Sequence, residues 1–147
     1  MLSKASEYAI RALVYIAIKN RDAMRPGYRE ISREIEAPEQ FTAKILQTCV
    51  RKKLLLSVRG RGGGFFFDPE SKPLSLIEII NAIEGMTLFT RCGIGLSRCS
   101  DTAPCPIHKE YAVIRDRYQQ LTTNTTIDDL ADKIISGEGV LNRITME

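Results

Sequence analysis

Long apolar runs are missing from this sequence of 147 residues. No stretch approaches the roughly 18 consecutive apolar residues of a membrane-spanning helix, so we expect no transmembrane segment and no membrane partner. Near the N-terminus, Glu7 and Arg11 interrupt the apolar residues and no small-residue cleavage site follows them, which argues against a signal peptide. We therefore expect a cytoplasmic protein.

Cysteine and histidine are also scarce, with four cysteines and one histidine in the chain. A chain of this length buries enough surface to fold without disulfides, and no C-x-x-C redox motif is present. The glycine-rich segment 60–64 is not followed by Lys-Ser/Thr or by a helix, which excludes a P-loop nucleotide site. Nothing indicates an oxyanion site or a substrate cleft, so we do not expect an enzyme.

Charge is divided unevenly along the chain. Residues 1–68 contain 13 Lys and Arg against 7 Asp and Glu, whereas residues 69–147 contain 8 against 11. A basic half joined to an acidic half suggests one part that binds a polyanion and one part with another role. Charge alone would equally fit an ordinary solvated surface.

Helical periodicity is clear in the basic half. Two apolar stripes over residues 3–20 predict a helix that is buried on two sides, against its own core and against a partner. A short helix at 28–36 and a second helix from Pro38 to about Lys52 predict a helix-turn-helix. The predicted buried stripe of the second helix is Phe41, Ile45 and Cys49.

A polar face and a hairpin complete the pattern of the basic half. The long hydrogen-bond donors on the outer face of the second helix are Gln40, Lys44, Gln47 and Arg51. Two β-prone apolar runs then flank the glycines and predict a hairpin with Arg59 and Arg61 at its tip. A hairpin after a helix-turn-helix is the wing of a winged helix, and two guanidiniums at its tip suit a narrow minor groove.

The acidic half contains three predicted helices, which begin near Ser75, Pro106 and Thr126. The middle helix runs to about Leu121, with apolar residues spaced alternately by four and three. This heptad seam favours dimerisation, although a plain amphipathic helix would also explain two repeats. Its seam residues are Ile107, Tyr111, Ile114, Tyr118 and Leu121.

Three cysteines crowd the segment between these helices: Cys92, Cys99 and Cys105, with His108 three residues further on. In a reducing cytosol, clustered thiols hold zinc or an iron–sulfur cluster more often than a disulfide. The C-x2–4-C pairs of structural zinc are absent, and wider spacing suits a larger inorganic core. Three unrelated surface cysteines are the simpler alternative, while Cys49 fits a core residue.

The order of these motifs resembles the Rrf-two (Rrf2) family of bacterial transcription regulators, from Leu2-Ser3-Lys4 to the helix capped by Thr126. The resemblance rests on the SVRGRGGGF wing, the SLIEIINAIEG helix and the three-cysteine loop taken together. It implies a mainly α homodimer with a small β wing and a long dimerisation helix. It also implies an iron–sulfur cluster on Cys92, Cys99 and Cys105, whose state alters DNA affinity.

The resemblance leaves the fourth cluster ligand open. In IscR-like members a histidine three residues after the third cysteine completes a 2Fe–2S site, and His108 has that position. In NsrR-like members the fourth ligand is a carboxylate near the N-terminus of the other subunit, and Glu7 has the position expected for that acid. We favour His108 and 2Fe–2S, with Glu7 and 4Fe–4S as the alternatives. The C-x6-C interval is one residue longer than in IscR-like loops, and Ala43 replaces an acid of their DNA-reading helix.

Together these features predict a winged helix-turn-helix DNA-binding domain at 1–68 and a cluster-binding loop with dimerisation helices at 69–147. The expected function is that of a transcription regulator, favoured as a repressor, whose affinity for a near-palindromic operator reports redox state, nitric oxide or iron–sulfur status. A zinc-bound or metal-free thiol-sensing winged-helix regulator is the first alternative. A small thiol enzyme or cluster carrier that docks on an acidic partner is the second.

Overall fold

A computed structural model describes residues 1–144 of the chain, so residues 145–147 of the predicted second part lie outside the described range. The described elements are α1 (Lys4–Arg21), α2 (Tyr28–Glu34), α3 (Glu39–Arg51), β1 (Leu56–Val58), β2 (Gly64–Phe66), α4 (Leu76–Glu84), a 3-10 turn (Thr87–Phe89), α5 (His108–Asn124) and α6 (Ile127–Ile135). The predicted helical fold with one hairpin is confirmed. None of the described helices is long and apolar enough to cross a membrane.

Helix α1 is the central element of the core. It begins after Ser3, whose hydroxyl accepts the backbone N–H of Ser6 at 3.1 Å and so caps the first turn. The helix packs against α2 and α3 and also against α4 and α6, which confirms its burial on two sides. Elements of the same chain cover both faces. Residues of the two predicted parts, among them Leu13, Ile79 and Ile127, therefore share one hydrophobic core.

Helix α3 buries a different stripe from the one predicted. Its buried residues, at helical spacing, are Thr42, Ile45, Leu46 and Cys49. The prediction for Phe41 was wrong, because this stripe is rotated toward Thr42 and Leu46 and leaves Phe41 40% exposed. The Phe41 ring instead packs edge-on against Tyr8, with 5.6 Å between centroids.

Three helices are followed, two residues after their last residue, by a residue in the left-handed backbone conformation. These residues are Ala23 (φ 57°), Glu36 (φ 54°) and Lys53 (φ 63°), after α1, α2 and α3. Behind α3, the Lys53 N–H donates to the Val50 carbonyl at 3.0 Å and the Leu54 N–H donates to the Cys49 carbonyl at 2.9 Å. Glycine is the usual residue at this position, since a side chain there costs about 1–2 kcal/mol.

The wing is fixed at its base and free at its tip. Strands β1 and β2 pair antiparallel, with Leu56 opposite Phe66. The Phe65 N–H donates to the Pro26 carbonyl at 2.9 Å, which ties β2 to the loop after α1. A Cβ at Gly64 would overlap the Arg25 carbonyl, so this approach requires glycine. The Asn20 side-chain oxygen accepts the Phe67 N–H at 2.9 Å and holds the end of the hairpin against α1.

A carboxylate joins the first and fourth helices. Glu84, the last residue of α4, accepts hydrogen bonds from the Ser3 N–H at 3.0 Å, the Ser3 hydroxyl at 2.6 Å and the Ser6 hydroxyl. Burial alone would raise the pKa of Glu84, but these hydrogen bonds outweigh it and the pKa lies below its ordinary value. Burial, followed by the nearby carboxylates of Glu84 and Glu7, raises the pKa of Tyr118 on α5. The first turn of α1, the last residue of α4 and Tyr118 of α5 therefore meet around the Glu84 carboxylate, which we call the Glu84 joint.

We predict that Glu84→Gln lowers the free energy of unfolding by about 1–2 kcal/mol at pH 7, because it weakens three hydrogen bonds to a charged acceptor. A carboxyl with a lowered folded pKa stabilises the fold above its ordinary pKa of 4.5 and loses that contribution as the pH falls further. The difference between the wild type and Glu84→Gln should therefore shrink below about pH 4.5.

Urea unfolding followed by circular dichroism between pH 3 and pH 7 measures this difference. Glu70→Gln, which changes an exposed carboxylate in the segment before α4, is the control and should stay within about 0.5 kcal/mol of the wild type. A Glu84→Gln effect that is equally large at pH 3 and pH 7 would show that the carboxylate charge is not what joins the helices.

Candidate DNA interface and cysteine loop

The predicted DNA-reading face of α3 is turned to solvent. Its four exposed residues are Gln40, Lys44, Gln47 and Arg51. Buried Ile45 and Cys49 fix the opposite side of the helix in the core. The Arg51 guanidinium donates to the Thr48 hydroxyl at 3.3 Å, which directs it along the end of the helix. This surface has free donors that can reach base edges and phosphates.

The wing presents a second cationic surface. Arg59 and Arg61 are both exposed, on either side of Gly60. Gly60 has φ 92°, a conformation that favours glycine and allows the tip to turn tightly. The α3 face and the wing tip thus offer their cations from separate elements. The wing is suited to a narrow groove, and α3 to a wide one.

The loop between α4 and α5 places two of its three thiols side by side and the third beside His108. Cys92 and Cys105 are neighbours and are 3% and 9% exposed. The backbone N–H groups of Ile94 and Leu96 lie against the Cys92 sulfur and lower the pKa of that thiol. Burial raises the pKa of Cys105, and the neighbouring Cys92 and Cys99 raise it further. The loop is therefore shaped to stabilise negative charge on at least one sulfur.

Cys99 and His108 form the second pair. The Cys99 Sγ lies 3.4 Å from His108 Nδ1, and His108 Nε2 lies 2.7 Å from an Asp101 carboxylate oxygen. Arg115 on α5 donates from Nη1 to the Cys99 Sγ at 3.3 Å and to the Arg91 carbonyl at 3.1 Å. Cys99 is thus surrounded by polar groups that can orient it and balance a thiolate charge.

The residues around the loop cysteines show which kind of inorganic group they could hold. Within residues 1–144, no three cysteine, histidine or acidic side chains surround a common point as a single metal ion requires. The Arg115 Nε–H is nevertheless buried beside the Cys99 pair and has no acceptor among the described residues. Soft sulfur ligands, backbone N–H groups around Cys92 and an unsatisfied buried donor fit a larger, negatively charged, sulfur-ligated group.

The other candidate residues lie apart from the loop thiols. Glu7 on α1 forms an ion pair with Lys4 at 3.2 Å, and its side chain is 40% exposed. Cys49 is fully buried in the core, as predicted, and burial raises the pKa of its thiol to about 11. Of the two candidates for a fourth ligand, the described protomer brings only His108 next to a loop cysteine.

Helix α5 turns one side of its seam inward and the other outward. Tyr111 and Tyr118 are partly buried, and the Tyr118 ring stacks on Phe89 with 5.9 Å between centroids. The exposed apolar residues on α5 and at its start are Ile107 (41%), Val113 (66%), Ile114 (61%) and Leu121 (57%). Such a row of exposed apolar side chains is typical of a surface that is covered in an assembly.

Two residues of the loop site were not found by sequence reasoning. Arg115 lies two helical turns after His108, so helical spacing alone would have placed both on one face of α5. Asp101 lies in a segment with no periodicity, and only the folded loop brings it to His108. Both contact a predicted cluster ligand.

The α2–α3 pair followed by a two-stranded hairpin defines the winged-helix class of DNA-binding proteins. Residues 2–133 match the model of the Rrf2 family, described as an iron-dependent transcriptional regulator. The chain belongs to the Rrf2 family, which confirms the resemblance found in its sequence. It is therefore a DNA-binding transcription regulator.

Two curated proteins and one solved structure are similar to this chain. A predicted HTH-type transcriptional regulator of Aquifex aeolicus is 29% identical over 132 residues, which cover 88% of this chain and 90% of the relative. The regulator IscR of Pectobacterium atrosepticum is 24% identical over 141 residues, covering 96% and 82%. The solved structure of CymR, the global cysteine regulator of B. subtilis, has a TM-score of 0.70 at 20% identity and covers 90% and 96%. The last of these supports the fold.

The contact between the cysteine loop and α5 can be tested at Gly93. A Cβ at this position would lie 2.7 Å from the Tyr111 Cγ and 3.0 Å from the Ile107 Cδ1. We predict that Gly93→Ala pushes the loop away from α5 and costs about 1–3 kcal/mol of stability. Thermal unfolding of Gly93→Ala should show a lower Tm, and combination with Tyr111→Ala should remove most of the added cost.

Gly139→Ala is the matched control, because a Cβ there has no neighbour within 4 Å. Equal Tm changes for Gly93→Ala and Gly139→Ala, or no rescue by Tyr111→Ala, would contradict the close packing of the loop on α5.

Proposed function

We propose that this Rrf2-family regulator acts as a homodimeric repressor in the cytoplasm and that an iron–sulfur cluster on its cysteine loop sets its operator affinity. Cys92, Cys99 and Cys105 are the proposed ligands, with His108 as the fourth. The observation that carries this proposal is the buried Arg115 Nε–H, which has no described acceptor, on a guanidinium that contacts the Cys99 sulfur. Backbone N–H groups around the Cys92 sulfur add to it. A 2Fe–2S cluster remains favoured, with 4Fe–4S and Glu7 of the partner subunit as the alternatives.

Dimerisation is proposed to bury the exposed side of α5. Ile107, Ile114 and Leu121 are spaced by seven residues and are between 41% and 61% exposed. This spacing lets two α5 helices pack along each other at a shallow angle. A two-fold axis through such a pair would present two α3 helices to successive major grooves, about 34–36 Å apart. The operator should therefore be a near-palindrome.

DNA reading is proposed to divide between α3 and the wing. Gln40, Lys44 and Gln47 would contact base edges, since glutamine suits adenine and lysine suits guanine. Arg51 would contact a phosphate. Arg59 and Arg61 would enter the flanking minor groove, where negative potential attracts guanidinium groups. Residues 1–68 are thus the proposed DNA-binding part, and residues 69–147 the proposed sensing and dimerisation part.

Coupling between the loop and the DNA is proposed to pass through the joint at Glu84. When bound, the cluster supplies a group that oxidants and nitric oxide can alter. Cys92 follows α4 and Cys105 precedes α5, so ligation by both fixes one of these helices relative to the other. Because Glu84 holds α4 to Ser3 and Ser6, a change in the α4–α5 angle reaches α1 and the DNA-binding part. The fraction of dimers able to bind DNA then changes.

A second candidate function is thiol sensing without a cluster. The observation in its favour is the contact of Cys99 with His108 and Arg115, since His108 is in turn held by Asp101 at 2.7 Å. Such surroundings are typical of reactive cysteines. A peroxide would oxidise the Cys99 thiolate to a sulfenic acid as its O–O bond breaks and it is reduced to water or an alcohol. Attack by another loop thiol on the sulfenic acid would then form a disulfide, release water and change the loop.

We predict that Arg59→Ala lowers operator affinity by about tenfold and makes its salt dependence shallower by about one counterion, because one cation leaves the DNA. Fluorescence anisotropy with a labelled cognate operator at several salt concentrations measures both effects. Lys133→Ala, on the remote helix α6, is the control and should bind like the wild type. Full affinity in Arg59→Ala would remove the wing from the DNA interface.

The proposed cluster ligands can be tested by reconstitution. Anaerobic reconstitution with iron and sulfide should give wild-type protein a visible chromophore, and Cys99→Ala should lose it because a thiolate ligand is missing. Cys49→Ala should keep the chromophore, since Cys49 is buried away from the loop. His108→Ala should change the spectrum and Glu7→Ala should not, if His108 is the fourth ligand; the reverse result would assign Glu7.

Metal and sulfide analysis of the anaerobically purified protein separates the two candidate functions. Iron with acid-labile sulfide supports the cluster. Zinc alone, or no metal together with rapid and selective oxidation of Cys99, overturns the cluster and supports thiol sensing.

A further inference from the structure

An open groove lies between the first two turns of α1 and the start of α3. The residues that line it come from these two helices and are Lys4, Tyr8, Pro38, Gln40, Phe41 and Lys44. Gln40 and Lys44 belong to the proposed DNA-reading face, so the groove continues that face toward α1. Its surface is mostly apolar, in contrast to the long polar side chains beside it.

The apolar surface is formed largely by Phe41, which is 40% exposed. All residues of α3 are described, and Phe41 is the only large apolar one among them that is exposed. It is the third residue of the helix, next to Gln40 and three residues before Lys44, and side chains three residues apart are neighbours on a helix surface. In a helix-turn-helix, residues near the start of the second helix contact base edges. Phe41 therefore lies beside the side chains that are proposed to reach the bases.

The Phe41 ring is supported from one side. Tyr8 packs edge-on against it, with 5.6 Å between the ring centroids. Tyr8 itself packs against the hydrophobic core, and the Arg11 guanidinium lies 5.1 Å from the centroid of its ring. A ring that is fixed on one side and open on the other is an apolar contact surface that needs no rearrangement before it binds.

Charge around the groove does not oppose DNA. The lining contains two lysines and no carboxylate. Two acids lie next to it in sequence, and both are paired with cations: Glu7 with Lys4 and Glu39 with Arg29, each at 3.2 Å. The contact proposed below is with a methyl group and needs no free charge in the groove.

Thymine is the one standard base that presents an apolar group in the major groove, its C5-methyl, and phenylalanine is one of the side chains suited to contact it. We propose that Phe41, supported by Tyr8, contacts the methyl group of a thymine in each operator half-site. This inference rests on the proposed use of α3 as the DNA-reading helix. It adds a base preference that Gln40, Lys44 and Gln47 do not supply, since those side chains read bases through hydrogen bonds.

The test replaces thymine by deoxyuridine, which removes the methyl group and keeps the base pair. The operator is first selected from a random pool of duplexes with the wild-type protein, and each thymine of one half-site is then replaced in turn. At one position the wild type should bind the deoxyuridine duplex about fourfold more weakly, as expected when one methyl group is no longer buried. Fluorescence anisotropy at one salt concentration measures the ratio of the two affinities.

Phe41→Ala should bind the thymine and deoxyuridine duplexes equally at that position. Because the ratio compares two duplexes on one protein, a smaller folded fraction of the variant cancels. Loss of the ratio in Phe41→Ala also excludes altered DNA flexibility as its cause, since the duplexes are the same. Phe41→Leu keeps an apolar side chain and should retain a ratio of about twofold or more.

Ile135→Ala is the matched control. It shortens another exposed apolar side chain, which is 55% exposed at the end of α6 and far in sequence from the DNA-reading helix. This variant should keep the wild-type ratio at every position of the half-site.

Three results would overturn the proposal. They are an operator with no thymine at which deoxyuridine weakens binding by twofold or more, a wild-type ratio retained in Phe41→Ala, and a ratio lost in Phe41→Leu as fully as in Phe41→Ala. A retained ratio together with a monomer–dimer equilibrium shifted by Phe41→Ala would assign the groove to a second copy of the chain instead.

The proposed function fails or holds separately in the same experiment. Selective operator binding that ignores the methyl group overturns the Phe41 contact alone, whereas the absence of selective DNA binding overturns both. The protein is used in whichever form, with or without iron and sulfide, binds the operator more tightly, so the outcome does not depend on the cluster.

Discussion

Burial of helix α1 on both sides is the constraint on which the rest of the structure depends. The helix packs against α2 and α3 and against α4 and α6, so the DNA-reading elements and the elements that flank the cysteine loop share it. Polar contacts fix both of its ends. Glu84 of α4 holds its first turn, and Asp132 of α6 holds Arg21 in its last turn at 2.7 Å. A change in the position of α4 or α6 can therefore reach the DNA-binding elements through α1.

Sequence patterns predicted the elements well because their signals are local. Alternating four and three spacings located α5, and the boxes Ser75–Glu78 and Thr126–Asp129 located the starts of α4 and α6. What covers each apolar face was harder to predict, since periodicity marks a buried face without naming its neighbour. A partner chain was expected on the second face of α1, where α4 and α6 of the same chain lie. Phe41 was misplaced because two overlapping stripes on α3 differ by about one residue in rotation.

The functional residues divide in the same way. Residue type and spacing were enough to single out the three loop cysteines, His108 and the two arginines of the wing. Arg115 was missed although its spacing of seven residues from His108 places both on one face of α5. Asp101 could not be predicted, because only the folding of an irregular loop brings it to His108.

The central claim is that the state of the cysteine loop sets DNA affinity through α4 and α1. Its most direct test is the operator affinity of the same preparation with and without its iron and sulfide, measured anaerobically by fluorescence anisotropy at one salt concentration. The account predicts that the two affinities differ by at least about tenfold, which corresponds to a shift of about 1.4 kcal/mol between the two states. Equal affinities with full and with no iron would contradict it.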